Sequence, residues 1–406
     1  MRPEPMLSVA EARERILAGL TPLPAETIGL SQAQGRVLAG PVAARLTQPP
    51  ADVSAMDGFA VRAADAAVGV ALEVIGAAPA GHPFTGRIGP GQATHIYTGG
   101  FVPQGADAIL LQEDAVEADG RVRATEQPIP GRWIRRAGLD FAAGERLFDP
   151  GRRLTARDIG LLAASNHPWV VVTRAPRIAI LATGDEIALP GEPLPPGGIF
   201  SSNAHALAAL CQAAGAVPSV LPIAADTEES FRGMAASARG FDLFVTTGGA
   251  SVGAHDLVQS ALAAEGFERG FWRIAMRPGK PLIWGRLGAV PMLGLPGNPV
   301  SSLVCGVLFL LPALHRLQGR AALELPFEPS RAGSDLAEND GREDYLRCVL
   351  TRDSGGRLVA TPFARQDSSM LKTLARAEGL LKRAPRAPAL AAGGTVEVLD
   401  LTALGV

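Results

Sequence analysis

The 406-residue sequence predicts a multidomain α/β plus β protein: a doubly wound α/β domain, a β-rich inserted domain, a discontinuous helical linker domain and a small C-terminal β-barrel. Three observations predict it. From Arg177 onward short apolar runs alternate with helix-like segments, as in a doubly wound sheet. Between Thr47 and Leu139 short strand-like runs alternate with glycine and proline turns, and helix-like spacing lies on both sides of that stretch. After Phe327 helical periodicity is lost again. The expected division is a linker domain over residues 1–46 and 141–176, the inserted β domain over 47–140, the α/β domain over 177–326 and the barrel over 327–406.

Taken in order, Ser8 and Glu11 make an S-x-x-E capping box that opens a helix, with Val9, Ala12 and Ile16 on one face. Strands are expected at residues 72–75, 94–97 and 108–112 of the insertion, and helical spacing returns over 153–165. In the α/β domain the expected strands are 178–182, 217–223, 243–246 and 292–295, with helices at 204–214, 228–238 and 257–264. Further strand-like runs, 272–276 and 282–284, flank a turn. The longest apolar run, 303–314, is too short for a membrane span and holds Pro312, so it reads as a core helix. Strands at 345–350, 358–361 and 395–399 suit a small barrel or sandwich.

A composition of 47% apolar and 19% charged residues is that of a soluble globular protein. A formal net charge of -2 gives no electrostatic reason to expect nucleic acid or a membrane surface as a partner. Cys211, Cys305 and Cys348 are far apart, lack metal-ligand spacing and sit in apolar settings, which suits buried packing in a reducing compartment. The N-terminal MRPEPMLSVAEARERIL puts charges where a signal peptide needs an apolar core, so no secretion signal is expected.

Ligands of doubly wound sheets gather at the carboxyl ends of the strands. Here those ends carry Thr183-Gly184-Asp185-Glu186, Asp226, the stretch TTGGASVGAHD from Thr246 to Asp256, and Pro296-Gly297-Asn298-Pro299. Gly248, Gly249 and Gly253 let a backbone approach a ligand without Cβ clashes, and a helix entrance beyond them offers free N–H groups. The bland alternative is a tight turn with Asp256 as an N-cap. Asp185, Glu186, Asp226 and Asp256 are more than the one or two carboxylates that Mg²⁺ needs beside a phosphorylated substrate, although Asp226 reads equally well as a helix cap. Asn298 and Pro299 suit the start of a helix as well as a crevice. In Arg277-Pro278-Gly279-Lys280-Pro281, prolines aim two cations around a turn, which favours an anion role over solvated surface.

Two other chemistries compete. A Walker-type ATPase is disfavoured, because Lys280 is followed by proline and the upstream glycine is missing. Residues 249–253 match G-x-S-x-G, the nucleophile elbow of a serine hydrolase. Its partners are poor: beyond Ser251 the histidines are His255, too close in sequence, and His315, at the end of an apolar helix.

Together these stretches resemble the molybdopterin molybdenumtransferase family, that is MoeA and the gephyrin E domain. SAMDGFA, YTGG with VPQGADAIL, RRAGLD with AAGE, ATGDEI, TTGGASVGAHD, RPGKP and LPGNPVSS occur in the family's order over nearly the whole chain. The resemblance implies insertion of molybdate into adenylylated molybdopterin, release of AMP, help from Mg²⁺ and an elongated homodimer, downstream of a molybdopterin adenylyltransferase in the cytoplasm. It implies a molybdopterin-binding α/β domain whose Gly248, Gly249, Ser251 and Gly253 hold the substrate, joined by Pro296, Gly297 and Asn298. Asp256, Asp226 and Glu186 match positions near the divalent ion, and Arg277, Lys280 and Ser301 positions near the oxyanion. Asp57, Thr98 and Asp140 match functional positions of the β domain, which in the family reaches the partner subunit's site, and Arg342 and Ser368 match positions of the C-terminal domain. Arg277 stands where many relatives have lysine, which keeps the charge and changes the donor geometry. A non-catalytic pterin-binding scaffold of the same fold is the alternative that the gephyrin resemblance carries.

Overall fold

The computed structural model of the protein describes residues 6–248 and 266–406. The helix expected at 257–264 lies outside them. The first helix, Val9–Ala18, starts at the capping box: Glu11 N–H donates to Ser8 Oγ at 3.2 Å, and Ser8 N–H donates to the Glu11 carboxylate at 2.8 Å. Its buried face of Val9, Ala12 and Ile16 packs into the core of the α/β part.

Strand Ala25–Gly29 pairs antiparallel with Trp169–Thr173, so the two flanks of the β insertion meet. Both flanks feed one apolar core that includes Leu38, Val42, Phe148, Leu162 and Val172. Helix Ala156–Ala164 opens with a second capping box, Thr155 with Asp158, which the sequence reading passed over. Between the flanks lies a six-stranded sheet in the order Ala108–Leu111, Gly58–Val61, Gln92–Ile96, Ala71–Ala78, Arg121–Ala124, Ala115–Ala118.

A second six-stranded sheet has the order Val217–Val220, Arg177–Ala182, Leu243–Thr247, Val290–Leu295, Ile283–Leu287, Phe267–Trp272. The first four strands are parallel and the last two pair antiparallel. The run expected at 272–276 is split: the edge strand ends at Trp272, because Arg273 takes a left-handed φ of 81° and bends the chain away, and a second short strand starts at Met276. Pro299–Leu317 is a 19-residue helix, long and apolar enough by length and composition to cross a membrane. Because 83% of its apolar window is buried inside this fold, it serves as a core helix.

In the C-terminal part, Glu343–Arg352 pairs with both Leu358–Pro362 and Gly379–Arg383. Phe327–Ala332 and Thr395–Asp400 complete the ring, which closes a five-stranded barrel. Two of these strands, Phe327–Ala332 and Gly379–Arg383, carry proline, charge or glycine and were not evident from patterning. Met276–Arg277 adds in parallel to Glu343 and Asp344, tying the barrel to the α/β domain. The three cysteines are free and buried.

The last turn of the long helix holds a buried imidazole. His315 Nε2 accepts from the Arg320 guanidinium, and burial, then Arg320 and Arg153, drive its pKa from 6.5 down to about 3. The unfolded chain takes up this proton near the ordinary value, whereas the folded chain refuses it. The stabilisation is therefore complete above pH 6.5 and is lost progressively as the pH falls towards 3. Denaturant titrations at about pH 7.5 and about pH 5.5 should show a smaller stability loss in His315→Gln than in the wild type, by on the order of 1 kcal/mol. Equal losses in the two proteins would show that the imidazole is not held neutral by the fold.

Candidate active site

At the carboxyl ends of the parallel strands, Ala182, Thr247 and Leu295 lie side by side in register, so the turns after them are neighbours. A parallel bridge between Thr183 and Ala224 adds the segment that carries Asp226. Gly248 has φ 96°, and a Cβ there would lie 2.6 Å from the Thr183 carbonyl oxygen. A Cβ on Gly297 would sit 3.5 Å from Gly248 Cα. Glycine is needed because three backbones meet. Asn203, at the start of helix Asn203–Ala213, locks the arrangement by donating from Nδ2 to Thr247 Oγ1 at 2.9 Å and to the Gly297 carbonyl at 2.7 Å. The reading of the sequence missed it, although S-S-N before an apolar helix was there to be seen. Thr183 Oγ1 is buried here with no hydrogen-bond partner among the described residues.

On one side of this crevice are carboxylates. Asp226 N–H donates to Asp185 Oδ1 at 2.9 Å. Partial burial, then Asp185 and Glu186, push the Asp226 carboxyl above its ordinary value. The cap of helix Glu228–Ser237 is Thr227, whose Oγ1 accepts from Ser230 N–H at 3.2 Å, so Asp226 is spared for another role. Glu186 folds back over Gly184, where a Cβ would come within 2.5 Å of its carboxylate. No three ligand-type side chains converge as a ready metal cage among the described residues. For Mg²⁺ two carboxylates and substrate oxygens suffice.

On the other side is the RPGKP turn. Gly279 has φ 115° and a Cβ there would meet Cys305 Sγ at 2.4 Å, so the turn lies against the long helix. Arg277 is not a free cation: its guanidinium pairs with Asp344 and reaches Asn339 at 3.3 Å and Asp340 at 3.4 Å. Arg342 is occupied likewise, donating to Asp340 at 2.6 Å. That bond, with the Arg342 amide, takes the Asp340 carboxyl down to about 2. Arg277 thereby joins the α/β domain to the barrel domain, whereas the Arg342 pair lies within the barrel domain. Lys280 is exposed and makes no ion pair with a described residue.

The barrel touches the crevice through residues 366–370. Ser368 O accepts from Val300 N–H at 3.1 Å, and Ser368 Oγ accepts from Asn298 Nδ2 at 3.0 Å. Asn298 therefore does not cap the helix with its side chain, as its residue type had suggested. Behind this strap lies Arg347, 1% exposed. It donates from Nε to Gln366 Oε1 at 3.2 Å and from a terminal nitrogen to Met370 O at 3.3 Å. Burial lowers its pKa while Asp367 raises it. An arginine in the otherwise apolar run YLRCVL, residues 345–350, was the signal that sequence reasoning passed over.

In the inserted domain, Thr98 donates to one Asp57 oxygen twice, from N–H at 2.6 Å and from Oγ1 at 2.8 Å, which holds the Asp57 carboxyl below its ordinary value. Gly58 is obligatory, since a Cβ would lie 2.1 Å from the Leu110 carbonyl oxygen. Asp140 is exposed and its N–H donates to Gln48 O at 3.0 Å. The three turns adjoin: Gly99 N–H bonds Ser54 O, Gly138 N–H bonds Pro49 O, and Val53–Ser54 pairs with Ile134–Arg135. Among the described residues no hydrogen bond or ion pair joins these three side chains to the crevice.

Residues 7–165 match the MoeA N-terminal region (domain I and II), 179–316 a probable molybdopterin binding domain and 329–401 the MoeA C-terminal region (domain IV). The chain is 37% identical over 390 residues to the Mycobacterium tuberculosis protein named molybdopterin molybdenumtransferase 2, covering 93% of this chain and 95% of that one. It is 32% identical over 398 residues to the molybdopterin molybdenumtransferase of Haemophilus influenzae, covering 97% and 98%. The chain belongs to the MoeA family. Its fold superposes on the molybdopterin biosynthesis moeA protein of Pyrococcus horikosii with a TM-score of 0.84 at 29% identity, over 98% of this chain and 99% of that one.

Within this MoeA fold Gly248, Glu186, Asp226, Pro296, Gly297, Asn298, Ser301 and Ser368 lie around the sheet's carboxyl end, and Asp57, Thr98 and Asp140 form a second group. Gly249, Ser251, Gly253 and Asp256 lie outside the described residues. Of the histidines weighed for a hydrolase, His315 is buried against Arg320, and His255 lies outside the described residues. The strap makes a testable contact. Arg347→Met keeps the apolar volume and removes the bonds to Gln366 and Met370, so Val300 N–H should exchange with deuterium about tenfold faster, at little cost in global stability. Unchanged exchange at Val300 would mean that the strap docks without Arg347.

Proposed function

We propose that this MoeA-family enzyme inserts molybdate into adenylylated molybdopterin, releasing AMP and giving molybdenum cofactor. One observation carries the reading: carboxylates at Asp185, Glu186 and Asp226 and a cation at Lys280 flank one glycine-lined sheet end, in a chain matched over nearly its whole length by proteins of that name. The reactants are a dianion and a phosphoanhydride, and both need positive charge and amide donors at once.

The donor set fits Mg²⁺: hard carboxylate oxygens, with Asp226 raised by partial burial and then by Asp185 and Glu186, whose repulsion a divalent cation would relieve. Glu186, Asp226 and Asp256 would hold it, and when bound it supplies neutralisation of the phosphoanhydride. Lys280 would stabilise charge on the departing phosphate. Asn203 and Thr247 keep the Gly297 turn at a fixed height, and Ser368 borders the side where molybdate would enter, with Ser301 buried in the first turn of the long helix.

Asp57, Thr98 and Asp140 lack a bond to this crevice, which supports a homodimer in which they complete the partner's site. A molybdopterin adenylyltransferase would supply the substrate upstream. Free buried thiols suit the reducing cytoplasm as the place of reaction.

Purified protein given adenylylated molybdopterin, molybdate and Mg²⁺ should release AMP, and Asp57→Ala or Asp226→Asn should each slow this by about a hundredfold. Mixing the two inactive variants under subunit exchange should restore release, because each mixed dimer keeps one crevice with both groups intact. No AMP from the wild type sinks the reading in favour of a scaffold. Wild-type release with no rescue in the mixture sinks only the shared site.

A further inference from the structure

Beyond the crevice the sheet continues for two strands, and its far edge carries a cation that neither the motifs nor the family match assigns. Strand Phe267–Trp272 is antiparallel to Ile283–Leu287, which is antiparallel to Val290–Leu295, so its carboxyl end points the same way as those of the crevice strands. Register aligns Trp272 with Ile283, Ile283 with Gly294, and Gly294 with Thr246. Arg273, the next residue, is thus level with the glycine turn, about 10 Å from the Val290–Leu295 strand across two strand spacings. It also adjoins the RPGKP turn, since Ile274 N–H donates to Lys280 O at 3.0 Å.

Arg273 is held in an unfavourable state. Its φ of 81°, the largest among the described non-glycine residues with left-handed backbone, is one that a long side chain seldom adopts, though Trp133 and Arg386 share the region with the short Asp119 and Asn166. The bend lays its guanidinium over the Trp272 ring, 3.7 Å from the centroid. No described carboxylate pairs with it, and it is only half-buried. A planar cation stacked on one face offers its other face to a second flat, electron-rich ring. Strain of this kind persists where the displayed group is used.

We infer that the Trp272–Arg273 stack seats the purine base of the adenylate leaving group. This rests on the function proposed above. The nucleotide phosphate then falls toward Lys280, and the anhydride runs along the strand ends toward Asp226. The crevice thereby covers the row of strands from Arg177–Ala182 to Phe267–Trp272, four spacings or about 19 Å, a length that suits an extended dinucleotide-like molecule.

The test is calorimetric binding of AMP and of ribose 5-phosphate to the intact protein with Mg²⁺. The wild type should prefer AMP. Arg273→Gly, which removes the guanidinium and relieves the left-handed backbone, should fold at least as well and bind AMP about tenfold more weakly, with ribose 5-phosphate unchanged. Arg273→Lys, which keeps the charge without the flat face, should lose the same preference. Equal AMP affinity in wild type and Arg273→Gly overturns the base seat, as does a wild type that binds ribose 5-phosphate as tightly as AMP; neither result touches the proposed function. A wild type that binds neither ligand and releases no AMP in the insertion assay overturns both.

Discussion

The site depends on how closely three backbones approach at one sheet end. Thr183, Gly248 and Gly297 touch there with no space for a Cβ on Gly248. This contact places the turns after three parallel strands at one height, so that groups far apart in sequence, Glu186, Asp226 and Asn298, border one surface. The amide of Asn203 spans two of the turns, and Thr247 Oγ1 lies 3.3 Å from both Pro296 O and Ser302 Oγ. Buried polar bonds of this kind are directional, and losing one partner leaves another unsatisfied. The floor of the crevice is therefore stiff, which suits a site that must hold charge at fixed positions.

Charge is distributed to serve that stiffness. Arg277 and Arg342, which look like anion ligands in the sequence, are neutralised by Asp340 and Asp344; Arg277 fastens the barrel to the α/β domain, and Arg342 pairs within the barrel domain. Lys280, three residues on, stays free of ion pairs with described residues because the glycine turn carries it away from those carboxylates. One motif thus supplies a fastening and a free charge. The distinction comes from which way the turn points each side chain, a matter of tertiary geometry.

Patterning reached the element types and the order of the layers because amphipathic spacing and glycine turns are local signals. Ser8 with Glu11 gave a cap in the sequence and a cap in the structure. Asn298 and Asp226 did not: both residue types favour caps, yet Asn298 turns to Ser368 and Thr227 takes the cap beside Asp226. A capping preference of about 1 kcal/mol yields to a tertiary bond of similar size. The partners of Arg347 and Asn203 were not legible for a related reason, since nothing local in EDYLRCVL or SSN says which distant group each will meet. The strand Phe267–Trp272 was misplaced because its end is set by the φ of Arg273, which its residue type does not announce.

The strap from the barrel also limits what the long helix can contribute. A free helix N-terminus would be an anion site in its own right. Here Pro299 has no N–H, and that of Val300 is already bonded to Ser368 O. Ser302 N–H makes the first bond of the helix, to Asn298 O at 2.8 Å. That leaves the amide of Ser301 as a donor without a partner in the first turn, among the described residues. An oxyanion at this end must therefore draw its affinity from side chains brought by other elements. The barrel, anchored through Arg347, thus occupies one amide of the helix start and borders the crevice through Ser368.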